Sequence, residues 1–168
     1  MTRRILGAAV LGTTMALGAC GPKYAAFDVE VSLDPAMARE GRYPAVEVDL
    51  VAVSSNERDR WISKPVSEYF SGNDQFRRDA SKHTLRFSNE TPGPLTLSRR
   101  DPIWQTWKGR QELFVLANLG GVSGSGASDP RRLVLSLDTR RWPGDRKLVI
   151  LVQGSKVTCL TPEKPVKD

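Results

Sequence analysis

The 168-residue chain carries 25 Lys and Arg against 19 Asp and Glu, two Cys and a single His, with 39% hydrophobic and 26% charged residues. That balance excludes both a bundle of membrane-spanning segments and a disordered polyelectrolyte, and the length suits one domain with one proper core. The first residues do not read as part of that core. Met1, Thr2, Arg3 and Arg4 precede an uncharged apolar stretch over 5–17, which closes on Leu17, Gly18, Ala19 and Cys20. This is the order of a basic n-region, an h-region and a small-residue cleavage site. The stretch is shorter than the roughly 18 apolar residues of a spanning helix, so an export signal is expected rather than a permanent transmembrane anchor. Removing the first 19 of the 168 residues leaves 149 and takes away two basic side chains, which lowers the net charge from +6 to about +4. An exported chain rarely meets nucleic acid, and the remaining excess of positive charge reads as a soluble surface.

Leu17, Gly18, Ala19 and Cys20 resemble the lipobox of bacterial lipoproteins, in which two small residues precede a cysteine that is acylated and becomes the mature N-terminus. The resemblance implies lipidation at Cys20 by a thioether-linked diacylglycerol and an N-acyl chain. Several acyl chains on one residue give a durable attachment where one alone is marginal. Gly21 stands where an Asp would favour retention in the inner membrane, so the pattern implies the outer membrane, with the chain facing the periplasm. Cys159 is then left without a partner in the chain and reads as a small buried hydrophobe rather than a reactive thiol.

Along the mature chain, 20–26 reads as a lipidated tether, 27–160 as the folded domain and 161–168, with two prolines, as a loose tail. Phe27, Val29, Val31 and Leu33 alternate with polar residues as in a half-buried strand. The segment 34–44, with Pro35, Gly41 and Pro44, is a connection. The segment 45–53 alternates again, Val46, Val48 and Leu50 opposing Glu47, Asp49 and Val51, and is expected to pair with the first strand. In 61–70 the period lengthens: Val66, Tyr69 and Phe70 at helical spacing, with Ser63 as cap and Pro65 in the first turn, predict a short helix, and 74–80 adds another turn. Strands resume over 82–88, and weakly over 95–98 beyond the Pro92-Gly93-Pro94 turn. A capped turn of helix over 101–109 carries Ile103, Trp104 and Trp107. The apolar run 112–118 is a central strand, 119–130 a Gly- and Ser-rich flexible loop, and 133–137, 147–152 and 156–160 complete the sheets. About seven strands with one or two short helices predict an all-β fold, a single β-sandwich.

Groups for catalysis are few. HExxH, CxxC, Ser-x-x-Lys and Gly-x-Ser-x-Gly do not occur, and the Gly-rich loop lacks a phosphate-cradling Gly-Lys-Ser/Thr ending. His83 sits in an alternating strand, where a core or edge position competes with general-base work. The pairs Asp28/Glu30 and Glu47/Asp49 project from strand faces as at a glycosidic or Ca²⁺ site, or simply as a solvated outer face. Four tandem arginine pairs, 77–78, 99–100, 131–132 and 140–141, lie near element ends, where they suit anionic head groups or an acidic partner. Trp61, Trp104, Trp107 and Trp142 suit core or anchor positions. The expectation is a non-enzymatic protein without metal, cofactor, small-molecule substrate or nucleic-acid partner.

The order Leu33-Asp34-Pro35, an exposed connection, Pro44-Ala45-Val46-x-Val48-x-Leu50, and a helical segment ending Glu68-Tyr69-Phe70-x-Gly72-Asn73-Asp74 resembles the outer-membrane lipoprotein of type VI secretion systems, the TssJ family. Asp34 stands in place of the usual Asn, and the likeness covers roughly 27–80. It implies a transthyretin-like sandwich and a non-enzymatic tether for an envelope-spanning secretion complex. It also implies that the loop 34–44 meets the periplasmic domain of an inner-membrane partner (TssM family), with Met37, Arg39, Arg42 and Tyr43 as contacts, or is otherwise a solvated loop. A generic envelope lipoprotein that binds peptidoglycan, lipid or another assembly is the alternative reading. An envelope hydrolase, with His83 and an acidic pair converging in a cleft, is a further one.

Overall fold

The computed structural model describes residues 22–165. The export signal and Cys20 lie outside the described residues. Strands β1 (Asp28–Leu33) and β2 (Val46–Val53) are followed by three short helices, α1 (Arg58–Ser63), α2 (Val66–Tyr69) and α3 (Gln75–Asp79). Then come β3 (His83–Phe87), β4 (Leu95–Leu97), helix α4 (Ile103–Thr106), β5 (Glu112–Ala117), β6 (Arg132–Ser136), β7 (Lys147–Val152) and β8 (Val157–Cys159). Two four-stranded sheets, ordered β4-β1-β7-β8 and β3-β2-β5-β6, form an all-β sandwich.

β1 and β2 are not sheet neighbours, contrary to the sequence expectation. β1 pairs with β7 in parallel, Asp28 opposite Lys147 through Leu33 opposite Val152, and β2 belongs to the facing sheet. Alternation dictates which face of a strand is buried, and says nothing of which strand lies beside it. Phe27, Val29, Val31 and Leu33 point inward with Leu148, Ile150 and Val152, against Val46, Val48, Leu50, Leu113 and Val115 of the other sheet. Side chains buried this completely contribute roughly 1.5–3 kcal/mol each.

A second apolar layer covers the outer face of the β3-β2-β5-β6 sheet. Val51 and Val53 of β2 and Phe114 and Leu116 of β5 meet Trp61, Val66 and Tyr69 from α1 and α2. The single helix expected over 61–70 is therefore two, broken at Lys64 and Pro65. Pro65 caps α2 without a side-chain bond, and Ser63 ends α1 by donating to the Arg60 carbonyl.

This layer overturns the solvated face expected for Asp49, while the Glu47 side chain stays 32% exposed. Asp49 is fully buried. Its carboxylate accepts from Tyr69 Oη at 2.9 Å, Arg77 Nε at 2.8 Å and Thr84 Oγ1 at 2.6 Å. Arg77 also donates to Glu47 Oε2 at 2.9 Å and lies 4.6 Å above the Phe70 ring. Burial raises the Tyr69 phenol pKa, and the neighbouring Asp49 charge raises it further. Burial opposes the Arg77 charge, but the bonds to Asp49 and then Glu47 outweigh it and raise its pKa. The carboxylates that looked like an exterior are the fastening of α3 to the sheet.

The Gly-rich segment expected to be flexible is also fastened. Arg131 makes a two-bond pair with Asp129, at 3.0 and 2.8 Å. Arg132, likewise buried, donates to the carbonyls of Ile62, Gly126 and Lys64 and so ties the loop to α1. All four tryptophans are buried. Trp104 and Trp107 stack edge-on with ring centroids 5.1 Å apart.

Strand directions give the sandwich two poles. β1 begins beside the N-terminal segment and, six residues later, ends at the connection to β2, a span of about 20 Å. At the first pole Lys23 N–H and the Arg140 side chain donate to Asp138, while Tyr24 bridges Asp138 by its backbone. The segment expected to be a free tether is thus pinned from residue 23 onward. The tail is partly held as well, with Arg141 Nε 2.5 Å from Glu163 and Lys164 N–H donating to the Arg141 carbonyl at 2.7 Å.

Candidate partner-binding site

The β1–β2 connection at the second pole has a definite shape. Asp34 caps a 3-10 turn over Pro35–Met37, its Oδ1 accepting from the Ala36 N–H at 2.9 Å, with Pro35 in the first position where no N–H is required. Asp34 Oδ2 accepts from Gln153 Nε2 at 3.2 Å, and Asp34 N–H donates to the Val152 carbonyl at 2.8 Å. The root of the loop is thereby tied to the β7–β8 turn.

Beyond it, Arg39 and Arg42 exchange both backbone hydrogen bonds at 2.9 Å. The two residues between them, Glu40 and Gly41, have φ of 50° and 74°, the left-handed pair that a tight type I′ hairpin turn requires. Residues that exchange both bonds project to the same side of a hairpin. Both arginines are exposed, and among the described residues neither guanidinium is paired with a carboxylate. Like charges placed directly opposite are destabilising until an anion sits between them, and guanidinium groups bind carboxylates through two parallel bonds.

Met37 and Tyr43 are half-buried against the rim of the inter-sheet core. With Arg39, Arg42, Asn118, Leu119, Gly120 and Gly154 they line a groove of about 590 Å³. All four residues named from the sequence thus share one groove, which combines an apolar floor with a cationic rim. The opposite wall, Asn118 to Gly120, escaped the sequence reading. Leu119 is 5% exposed, and its place at the head of a glycine-rich stretch disguised it as loop.

No protein-family model matches this sequence, and neither does any curated protein sequence. Among solved structures the chain is similar to one described as the type VI membrane complex, at 16% identity and TM-score 0.50, covering 83% of this chain and 99% of that one. It is similar to Lip of Serratia marcescens, a membrane-bound component of the type VI secretion system, at 12% identity and TM-score 0.51 over 84% and 99% of the two chains. It is also similar to a structure described as the C-terminal domain of the type VI protein TssM from EAEC, at 15% identity and TM-score 0.51 over 81% and 99%. The chain has the fold of type VI membrane-complex components. That is the all-β sandwich expected from the sequence.

The other candidate groups lie elsewhere on the sandwich. His83 is half-buried with Nδ1 4.0 Å from Asp101 Oδ2, outside hydrogen-bond reach. Asp28 pairs with Arg99 and Glu30 with Lys147, while Glu47 and Asp49 are both held by Arg77. The tandem arginines are dispersed among the Asp49, Asp129 and Asp138 pairings rather than gathered in one patch. Cys159 is half-buried, and desolvation raises its thiol pKa away from the reactive thiolate. Among the described residues no helix is long and apolar enough to cross a membrane.

Proposed function

We propose that this chain is a TssJ-like lipoprotein that ties a type VI secretion membrane complex to the outer membrane. Acyl chains on Cys20 hold it in the periplasmic leaflet. The groove at the far pole holds an acidic, partly apolar segment of the periplasmic domain of a TssM-type partner. The role requires no catalytic chemistry and no cofactor beyond the covalent lipid.

The observation that carries this reading is the Arg39–Arg42 hairpin: two exposed, unneutralised guanidinium groups beside Met37 and Tyr43, on a fold shared with type VI components. Apolar and aromatic side chains in such a groove supply binding energy, while the cations supply steering and register. The test is capture of the partner's periplasmic domain by the detergent-solubilised lipoprotein. Replacing 36–43 with a Gly/Ser stretch is expected to abolish capture while the circular dichroism spectrum stays that of the parent. Undiminished capture by the correctly folded variant would falsify the assignment of the loop.

A further inference from the structure

The pole from which the tether leaves has a composition of its own. The chain is pinned there by the Lys23 and Asp138 bonds, the Tyr24–Asp138 bridge and the Ala25 N–H donating to Leu137. Three residues, four steps of the chain, separate Tyr24 from Cys20, a reach of at most about 14 Å. A lipid on Cys20 therefore brings this pole to the bilayer surface, within roughly a Debye length or two of the head groups.

The side chains waiting there suit that place. Tyr24, 41% exposed, is one of two exposed large hydrophobic side chains among the described residues, and tyrosine favours the head-group level of a bilayer. It lines a hollow of about 330 Å³ with Arg99, Arg100, Trp104, Lys108 and Arg110. Arg99 and Arg110 are matched by Asp28 and Glu57. Arg100 and Lys108 are exposed, with no carboxylate partner among the described residues, and the one acid lining the hollow, Asp101, is turned to the Ile103 N–H at 2.9 Å. Lys23 and Arg146, exposed and likewise without a carboxylate partner among the described residues, lie at the same end.

We propose that this pole, centred on Tyr24, Arg100 and Lys108, is a docking surface for anionic phospholipid head groups. It seats the sandwich upright on the membrane with the partner groove pointing away. The proposal rests on the lipid-anchor reading of Cys20 and adds to it an orientation. Acyl chains alone would leave the domain free to tumble on its short leash. Lys and Arg beside a negatively charged leaflet favour one face and lose that preference as salt screens them.

The experiment uses the full lipidated chain carrying Cys159→Ser and one fluorophore, on Gln105→Cys at the tether pole or Glu90→Cys at the groove pole. It is reconstituted into phosphatidylcholine vesicles, with or without phosphatidylglycerol, whose head groups bear a quencher. In phosphatidylglycerol vesicles the Gln105 position is expected to be quenched about fivefold more than the Glu90 position. The difference should shrink in pure phosphatidylcholine, at high salt, and with Arg100→Glu plus Lys108→Glu. Equal quenching at the two positions, or a difference indifferent to lipid charge and to the charge reversal, overturns the proposal. Indifference to lipid charge together with saturable binding of an acidic peptide would assign the pole to a protein instead. Intact mass of the same sample separates the two readings: an unacylated Cys20 overturns the anchor, while sedimentation with the two vesicle types still scores the patch through the charge reversal.

Discussion

Arg39 and Arg42 face each other across a two-residue turn, exchanging both backbone hydrogen bonds at 2.9 Å, and their guanidinium groups leave the same side of the loop. The turn that holds them depends on φ of 50° at Glu40 and 74° at Gly41. Nothing lies within 4 Å of a methyl group added at Gly41, so a substitution there acts through backbone strain alone. Gly41→Val is expected to cost about 1 kcal/mol or somewhat more, and to lower the melting temperature by roughly 2–4 °C. Glu40→Asn, better suited to the left-handed region, should raise it slightly. Differential scanning calorimetry reads both, and equal, negligible shifts would argue against this turn.

The Asp49–Arg77 pair predicts a second outcome. Asp49 has no exposure and the Arg77 side chain keeps 19%. Removing one partner strands the other, at a cost of about 3–5 kcal/mol for a buried pair. Arg77→Ala and Asp49→Ala should each destabilise strongly in urea titrations. Arg77→Met with Asp49→Leu should lose clearly less than the sum of the two, because no buried charge is left alone. Strictly additive losses would show that the two residues act independently.

Asp138 governs a pH response at the tether pole. Its hydrogen bonds from the Arg140 guanidinium come first, ahead of the opposing effect of burial, and hold its pKa down at about 2 against an ordinary 3.8. A carboxylate with a depressed folded pKa stabilises the protein fully above its unfolded value and loses that contribution as pH falls through the folded one. Stability is therefore expected to decline between about pH 4 and pH 2. Asp138→Asn should flatten that part of the curve and release residues 23–25 to amide exchange. A mutant curve parallel to the parent's would remove Asp138 from the account.

Much of the fold was legible because alternation in β1 and β2 placed the inner faces correctly. Neighbour relations were not legible, since the parallel β1–β7 pairing joins residues 119 positions apart in the chain, as Asp28 and Lys147 show. The buried carboxylate at Asp49 was hidden by its type. The clue lay beside it: Leu50, Val51, Ala52 and Val53 run apolar without alternation, as do Leu113 to Ala117, and strands of that kind are covered on both faces. At the candidate site, Met37, Arg39, Arg42 and Tyr43 were reached through a resemblance, whereas the hairpin that aligns the two arginines follows only from backbone geometry.

The most direct test of the tether account is the affinity of the chain for the periplasmic domain of the proposed partner, measured by calorimetry with Arg39→Glu plus Arg42→Glu over a range of salt. The account predicts at least a tenfold weakening, about 1.4 kcal/mol, together with a shallower salt dependence than the parent and an unchanged melting temperature. An unaltered dissociation constant with the same salt dependence would contradict it.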